Sequence, residues 1–230
     1  MFRYETHLHT APVSRCAGAS VERTLTFYSR LGYAGVFITN HFIDGNINID
    51  RSLPYAEKLA FYRSDYDNAV KLGRELGISV FFGVEMTYDG TDFLVYGLSP
   101  EWYEAHPEIE GMKKSALLAL LAENGALVIH AHPFHHNRFI DHIRLYPNLV
   151  HGVEIFNACR APEANAMAEL YAKHYGLIPF AGSDNHSAEE RPMLAGMLSS
   201  ELIKDEADFV RRCKNGELEI FKLENPQKDQ

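Results

Sequence analysis

Two short clusters of metal-binding side chains lie near opposite ends of this chain. One is Glu5-Thr6-His7-Leu8-His9, the other Gly182-Ser183-Asp184-Asn185-His186. Each follows an apolar run that reads as a strand, residues 1–4 and 177–181. Side chains two apart on a strand point the same way, so His7 and His9 form one fork, and Asp184 and His186 another. Imidazole combined with carboxylate suits Zn, Mn or Fe. Two such forks at strand ends predict one polynuclear site, closed by the first and last parts of the fold. The ordinary alternative for His7 and His9 is an accidental pair on a polar edge, and the second fork argues against it.

Further candidates also follow apolar runs. His41 ends the run 34–39, where a capping role is the alternative. Glu85 ends the apolar run 78–84, and an unpaired buried carboxylate there is costly, so it meets a cation or lies exposed. His132 precedes Pro133, which restrains the backbone after a strand. His130 shares a side with His132 by spacing, and both readings stay open: a support behind the ligands, or core packing. Asp92 begins the strand after Glu85 and can coordinate metal or face away. Twelve histidines is a high count for this length. His135, His136, His142, His151 and His174 read as surface, capping or packing residues. The loops 43–54 and 133–148 are expected to shape a pocket, where His135, His136, Asn137 and Arg138 can reach a substrate.

These residues need elements to position them, and the chain alternates strands with helices. Strands are predicted at 2–6, 34–39, 78–84, 92–98, 126–129, 150–156 and 177–181, with a last strand, helix and strand over 194–221. Helices are predicted at 20–31, capped by Ser20; at 54–76, closed by Gly77; at 113–124; and at 162–175. Asp89-Gly90 predicts a hairpin between 78–84 and 92–98. Apolar strands separated by helices imply a parallel sheet covered on both faces, and their number favours a barrel-like α/β fold. Every candidate ligand lies just after a strand, where α/β barrels place their chemistry. The expectation is one domain over 1–224 and a disordered tail over 225–230.

Composition narrows the function. With 230 residues, 46% of them hydrophobic, the chain can bury a full core. Its net charge of −9 argues against coating nucleic acid but does not exclude a phosphorylated ligand. Cys16, Cys159 and Cys213 lack zinc-finger spacing. Without a signal-peptide pattern, the expected home is a reducing cytoplasm. No apolar run is long enough to span a membrane.

In order, His7-Leu8-His9-Thr10, Thr39-Asn40-His41, Glu85, Ala131-His132-Pro133-Phe134 and Gly182-Ser183-Asp184-Asn185-His186 resemble the successive motifs of the PHP (polymerase and histidinol phosphatase) superfamily. The resemblance runs from His7 to about Arg191. It implies a distorted (β/α)7 TIM-like barrel that carries two ions, within a range of one to three, and hydrolyses phosphate esters with a metal-activated water. By resemblance, His7, His9, Glu85 and Asp184 hold the first metal. Glu85 bridges to a second held with His132, and His41 and His186 belong to a third. Two positions depart from the pattern. Arg15 stands about where the family supplies an Asp or His for the third metal, and Asp92 where it often has a His for the second. Arg15 is therefore read either as a guanidinium substitute for a cation, holding phosphate, or as a solvated loop residue or partner for a surface carboxylate. Arg160, Arg138 and Arg191 are weaker phosphate candidates. His41 or His186 is the expected acid for the leaving group if the third metal is absent.

Two other functions remain open at this point. An amidohydrolase-type metal hydrolase also starts with a His-x-His pair, but commonly bridges its metals with a lysine. A non-catalytic, metal-stabilised barrel could bind a phosphorylated ligand. The favoured substrate is a small phosphorylated metabolite or a nucleotide, with oligonucleotide ends in reserve. Sequence leaves the oligomeric state open.

Overall fold

A computed structural model describes residues 1–138 and 140–225. Strand β1 (Phe2–Glu5) leads to helix α1 (Val21–Arg30). The Ser20 side chain caps α1, accepting the Arg23 N–H at 3.3 Å. β2 (Gly35–Ile38) is followed by α2 (Tyr55–Leu76), which ends at Gly77 with φ +68°. β3 (Ser79–Tyr88) runs through Glu85 and turns at Asp89-Gly90 into β4 (Thr91–Tyr96). A six-residue helix, α3 (Pro100–Ala105), was not expected from sequence; Ser99 caps it, and α4 (Lys114–Glu123) follows. Next come β5 (Leu127–Ala131), β6 (Gly152–Asn157), α5 (Pro162–Tyr175) and β7 (Ile178–Gly182). β8 (Met193–Ser199), α6 (Glu206–Lys214) and β9 (Leu218–Glu224) complete the described chain.

All nine strands form one sheet in the order β7-β6-β5-β4-β3-β2-β1-β8-β9. The expected parallel sheet is in fact mixed. β4 runs antiparallel to both β3 and β5, and β8 and β9 are antiparallel to their neighbours. The two-residue turn after β3 leaves no room for the crossover helix that a parallel pair needs. The reversal still serves the site, because it puts Asp92 opposite Thr87, at the same end as Glu85.

β8 pairs with residues 2–4 of β1 only. Beyond Glu5 the chain turns to the segment after β7, where Leu8 bridges Asn185. The His9 N–H donates to the Asn185 carbonyl at 2.9 Å, and the Asn185 N–H to the His7 carbonyl at 3.2 Å. That contact nearly closes the seven strands β1–β7 into the distorted barrel expected from sequence.

Apolar side chains fill the barrel below the site. Tyr4, Phe37, Tyr96 and Phe180 are fully buried there, with Phe209 of α6 among them. The Phe209 ring centroid lies 4.3 Å from that of Phe37 and 5.4 Å from that of Tyr96. Tyr96 reaches upward, its hydroxyl donating to the Thr6 carbonyl at 2.7 Å, so this aromatic layer supports the base of the metal-binding segment. Asn225, placed in the expected tail, is instead docked: its N–H donates to Pro192 O and its side chain to Glu189 O and Arg191 O. Residues 226–230 of that tail lie outside the described residues. Among the described residues, no helix is long and apolar enough to cross a membrane. Truncating Phe209 to Ala should cost about 3–5 kcal/mol, read as a lower urea midpoint at unchanged slope. An unmoved midpoint would mean that α6 does not seal the core.

Candidate metal centre

Glu5, buried behind the first fork, sets the geometry. One of its oxygens accepts the N–H groups of Thr6, His7 and Ser183 at 3.0, 2.9 and 3.0 Å, and the other accepts the Tyr28 hydroxyl at 2.8 Å. One carboxylate thus ties the end of β1 to the end of β7. Burial pushes its carboxyl up to about 7, even against these hydrogen bonds. The two ends approach so closely that a Cβ at Gly182 would lie 2.4 Å from the His7 Cβ, so only glycine fits there.

The strand-end segments then converge. His7 Nε2 lies 3.2 Å from Glu85 Oε1 and 3.6 Å from Asp184 Oδ1, while His9 Nε2 lies 3.4 Å from both Glu85 Oε2 and Asp184 Oδ1. His132 Nε2 is 3.3 Å from Glu85 Oε1 and 3.9 Å from Asp92 Oδ2. His41 Nδ1 is 2.7 Å from Glu85 Oε2. The ring of His9 stacks on that of His186 at 4.3 Å. Three donor sets result, each with its atoms within 4.8 Å of one another: His7, His9 and Asp184; His7, Glu85 and His132; His9, His41 and His186. The structure therefore brings together all seven residues read from sequence as ligands, with Asp92 facing them. Asp184 at φ 52° and His132 at φ 26° are in the left-handed region. That strained conformation aims their side chains off the strand alternation.

Hydrogen bonds from behind set the imidazole tautomers. The Ser14 hydroxyl gives its hydrogen to Asn40 Oδ1 at 2.8 Å. Its oxygen also lies 3.2 Å from His9 Nδ1, so that nitrogen must be the donor. His186 Nδ1 faces the Asp184 carbonyl at 2.8 Å and must likewise donate. His7 Nδ1 faces Glu154 Oε1 at 2.8 Å. Each leaves an Nε2 lone pair free for an ion, the usual arrangement behind a metal-bound imidazole. Glu154 was missed in the sequence reading. Its second oxygen accepts the His132 N–H at 3.0 Å and the Asn157 amide at 2.9 Å. A register shift between Glu154 and Phe156 turns both Glu154 and Asn157 inward. A charged residue inside an apolar strand was the available signal.

The donors fit a cation. Glu85, Glu154 and Asp184 bring buried negative charge, half-buried Asp92 lies beside them, and among the described residues Arg160 is the one permanent cation lining the cavity. Asp92 Oδ1 is buried without a hydrogen-bond partner, and Glu85 Oε2 faces only the rings of His41 and His9. Protons respond to the same imbalance. Burial opposes charge on His7, but Glu154, Asp184 and Glu85 outweigh it and hold its pKa well above the imidazole range. Burial likewise opposes ionisation of Glu85, and His41, His7 and His9 reverse it, keeping the carboxyl well below its ordinary range.

A cavity of about 470 Å³ opens above the cluster. His41, Glu85, Asp92, His132, Asp184 and His186 line its floor, with Cys16, Asn46, His135 and Arg160 on its wall. Arg160 donates to Asp184 Oδ2 at 2.8 Å. The other arginines fail the phosphate reading. Arg15 and Arg138 are exposed, Arg191 is half-buried, and none of the three lines the cavity. The loop after Ser14 turns Cys16, not Arg15, toward the site. His130 is a packing residue: it is fully buried, stacks on Phe93 at 5.2 Å, has both ring nitrogens unbonded, and is pushed down to about 3 by burial and then by His132. The left-handed turn at His132 undoes the shared side that spacing gave the pair.

Residues 162–218 match the family model described as PHP-associated. Among solved structures, a two-domain protein from Bacteroides vulgatus containing a predicted PHP-like metal-dependent phosphoesterase aligns over 96% of this chain, with TM-score 0.69 and 15% identity. This chain spans 64% of the length of that protein. PsfC from Pseudomonas syringae aligns over 99% of this chain and 94% of its own, with TM-score 0.60 and 16% identity. A candidate metal-dependent phosphoesterase from Bifidobacterium adolescentis aligns over 92% of this chain and 96% of its own, with TM-score 0.54 and 16% identity. No curated protein matches the chain. At these identities the structures establish the fold. The family segment spans α5 to the start of β9 and includes the second fork, whereas Glu85 and His132 lie outside it.

In this site, Glu154→Gln should weaken the tightest-bound ion by about 10- to 100-fold in a calorimetric titration, because the Gln cannot hold His7 as strongly. Equal affinity would demote Glu154 to packing. His130→Phe should bind metal as the parent does and be no less stable, since the ring nitrogens it removes bond nothing; a lost ion would restore His130 as a support.

Proposed function

We propose that this chain is a metal-dependent phosphoesterase that hydrolyses a small phosphorylated metabolite or a nucleotide. The carrying observation is the convergence of seven ligand-type side chains in one cluster, five of which (His41, Glu85, His132, Asp184 and His186) line an open cavity together with the Arg160 guanidinium. Bound divalent ions (Zn, Mn or Fe, two or more) would lower the pKa of a water nucleophile and offset charge on the phosphate oxygens. His7, His9, Glu85 and Asp184 would hold the first ion, and Glu85 with His132 and Asp92 the second. Glu154 and Ser14 keep His7 and His9 in the tautomer that presents Nε2. Arg160 holds Asp184 through one nitrogen and has donors left over for a phosphate oxygen, and its Nε finds no acceptor on the protein. His135, held down to about 4 mainly by burial, stays neutral and can donate a hydrogen bond to substrate. His41 and His186 can pass the leaving oxygen its proton when no ion engages them.

The amidohydrolase reading loses its distinguishing residue. Among the described residues no lysine lines the cavity, and the buried Lys58 and Lys114 pair with Glu110 and Asp44 instead. The size of the cavity and the acidic chain favour a compact substrate over a polymer track. Cys16, Cys159 and Cys213 are all free, which suits a reducing cytoplasm.

Against panels of phosphoesters, amides and lactones, the metal-loaded protein should turn over phosphoesters alone. Chelation should abolish turnover, and Mn, Zn or Fe should restore it. Ligand binding without phosphate release would leave a non-catalytic barrel, and turnover that survives chelation would overturn the metal mechanism. Arg160→Ala should lower kcat/KM by about 10- to 100-fold, mainly through KM, because one charge-assisted hydrogen bond is worth about 1.5–3 kcal/mol. An unchanged KM would remove Arg160 from substrate binding.

A further inference from the structure

One buried carboxylate has no part in the chemistry proposed above. Asp65, on α2, is 1% exposed, and among the described residues no Lys, Arg or His pairs with it. Such a group is costly to bury unless its oxygens are hydrogen-bonded. Asp65 Oδ2 accepts three donors: the Thr10 hydroxyl at 2.7 Å, the Asn40 amide at 3.3 Å and the Val13 N–H at 3.4 Å. Thr10 follows the candidate ligand His9, and Asn40 precedes His41.

One backbone group fixes the direction of every bond in this network. The Thr10 N–H can only donate, so the Asn40 atom 2.7 Å from it is Oδ1. Asn40 Nδ2 then faces Thr10 Oγ1 at 2.9 Å as well as Asp65, and donates to both. Thr10 Oγ1 is thereby an acceptor toward Asn40, and its own hydrogen goes to Asp65. On the other side, Asn40 Oδ1 takes the Ser14 hydrogen at 2.8 Å. Ser14 Oγ is left to accept from His9 Nδ1 at 3.2 Å and from the His41 N–H at 3.1 Å. All of this needs an acceptor at Asp65. Without one, the Thr10 hydroxyl has only the Asn40 amide to receive its hydrogen, and Thr10 O–H and N–H then call for opposite orientations of that amide. With the amide reversed, Ser14 would turn its hydrogen to His9 Nδ1 and move the imidazole proton to Nε2, the nitrogen that faces Glu85 and Asp184.

We propose that Asp65 is a positioning residue for the metal centre. Acting through Thr10, Asn40 and Ser14, it fixes which ring nitrogen of His9 faces the ions and where the backbone at His41 lies. Both histidines belong to the outermost donor set, so the effect is greatest there. The order of protons stands on the hydrogen bonds alone, whereas its consequence for ion binding rests on the metal reading given above.

Nitrogen-15 NMR of the metal-free protein reads the His9 tautomer without any assay of activity, and loss of stability alone would not move it. The parent should carry the His9 proton on Nδ1 only. Asp65→Leu, which keeps bulk and removes the acceptor, should show both tautomers and bind its most affected zinc ion about 10- to 100-fold less tightly in a calorimetric titration. Asp65→Asn, whose carbonyl can accept the same three donors, should match the parent in both measurements. Neutron diffraction on the unsubstituted protein checks the network with no variant: the Thr10 deuterium should point to Asp65, and that of Ser14 to Asn40. A Thr10 deuterium aimed at Asn40 would overturn the role of Asp65 and leave the metal reading standing. So would a single tautomer or unchanged zinc affinity in Asp65→Leu, or Asp65→Asn behaving as Asp65→Leu does. A parent that binds no zinc while its protons lie as described would overturn the metal reading instead.

Discussion

The centre depends on a single carboxylate clamp. Its ligands come from positions as far apart as His7 and Asp184, so nothing local in the chain can assemble them. Glu5 does so by accepting N–H groups from Thr6, His7 and Ser183 at once, which fixes the end of β1 against the end of β7. The Leu8–Asn185 bridge and the absent side chain at Gly182 allow the approach, and Tyr28 satisfies the remaining oxygen. Closing the barrel and building the metal centre are therefore one event.

Charge explains why so polar a cluster survives burial. Carboxylates in an apolar barrel are costly unless cations face them. Without an ion, the carboxylates outweigh burial and raise the pKa values of His7 and His41, so both take up protons, while burial, reinforced by His186 and His41, lowers that of His9. Ions would replace those protons and compete with them, coupling occupancy to pH. Beneath this, the aromatic layer of Phe37, Tyr96, Phe180 and Phe209 gives the clamp a rigid base, and Tyr96 transmits that rigidity through Thr6.

Much of this was legible from sequence because strand periodicity and ligand chemistry coincide. The two forks, His41, Glu85 and His132 all sit where apolar runs end, and alternation alone predicts paired orientation. Alternation failed where the backbone leaves the extended region. At His132 a left-handed turn separates it from His130, and in β6 a register shift brings Glu154 and Asn157 to one side. The Asp89-Gly90 turn was readable, but its consequence, an antiparallel β4 inside a barrel expected to be parallel, needed the pairing of β4 with β5.

The loop after the first fork shows a different limit. Sequence placed Arg15 at the donor position, since an irregular loop has no period from which to infer which side chain turns inward. Backbone hydrogen bonds to Asn46 and His186 make that choice, turning the guanidinium to solvent and the thiol to the histidines. The consequence is chemical. A guanidinium at that place would add a fixed positive charge to the cavity, whereas Cys16 adds none in its thiol form. With Arg160 then the one permanent cation on the described wall, recognition of a phosphate under the proposed function would fall to that residue and the bound ions, and would favour substrates whose phosphate is the part held.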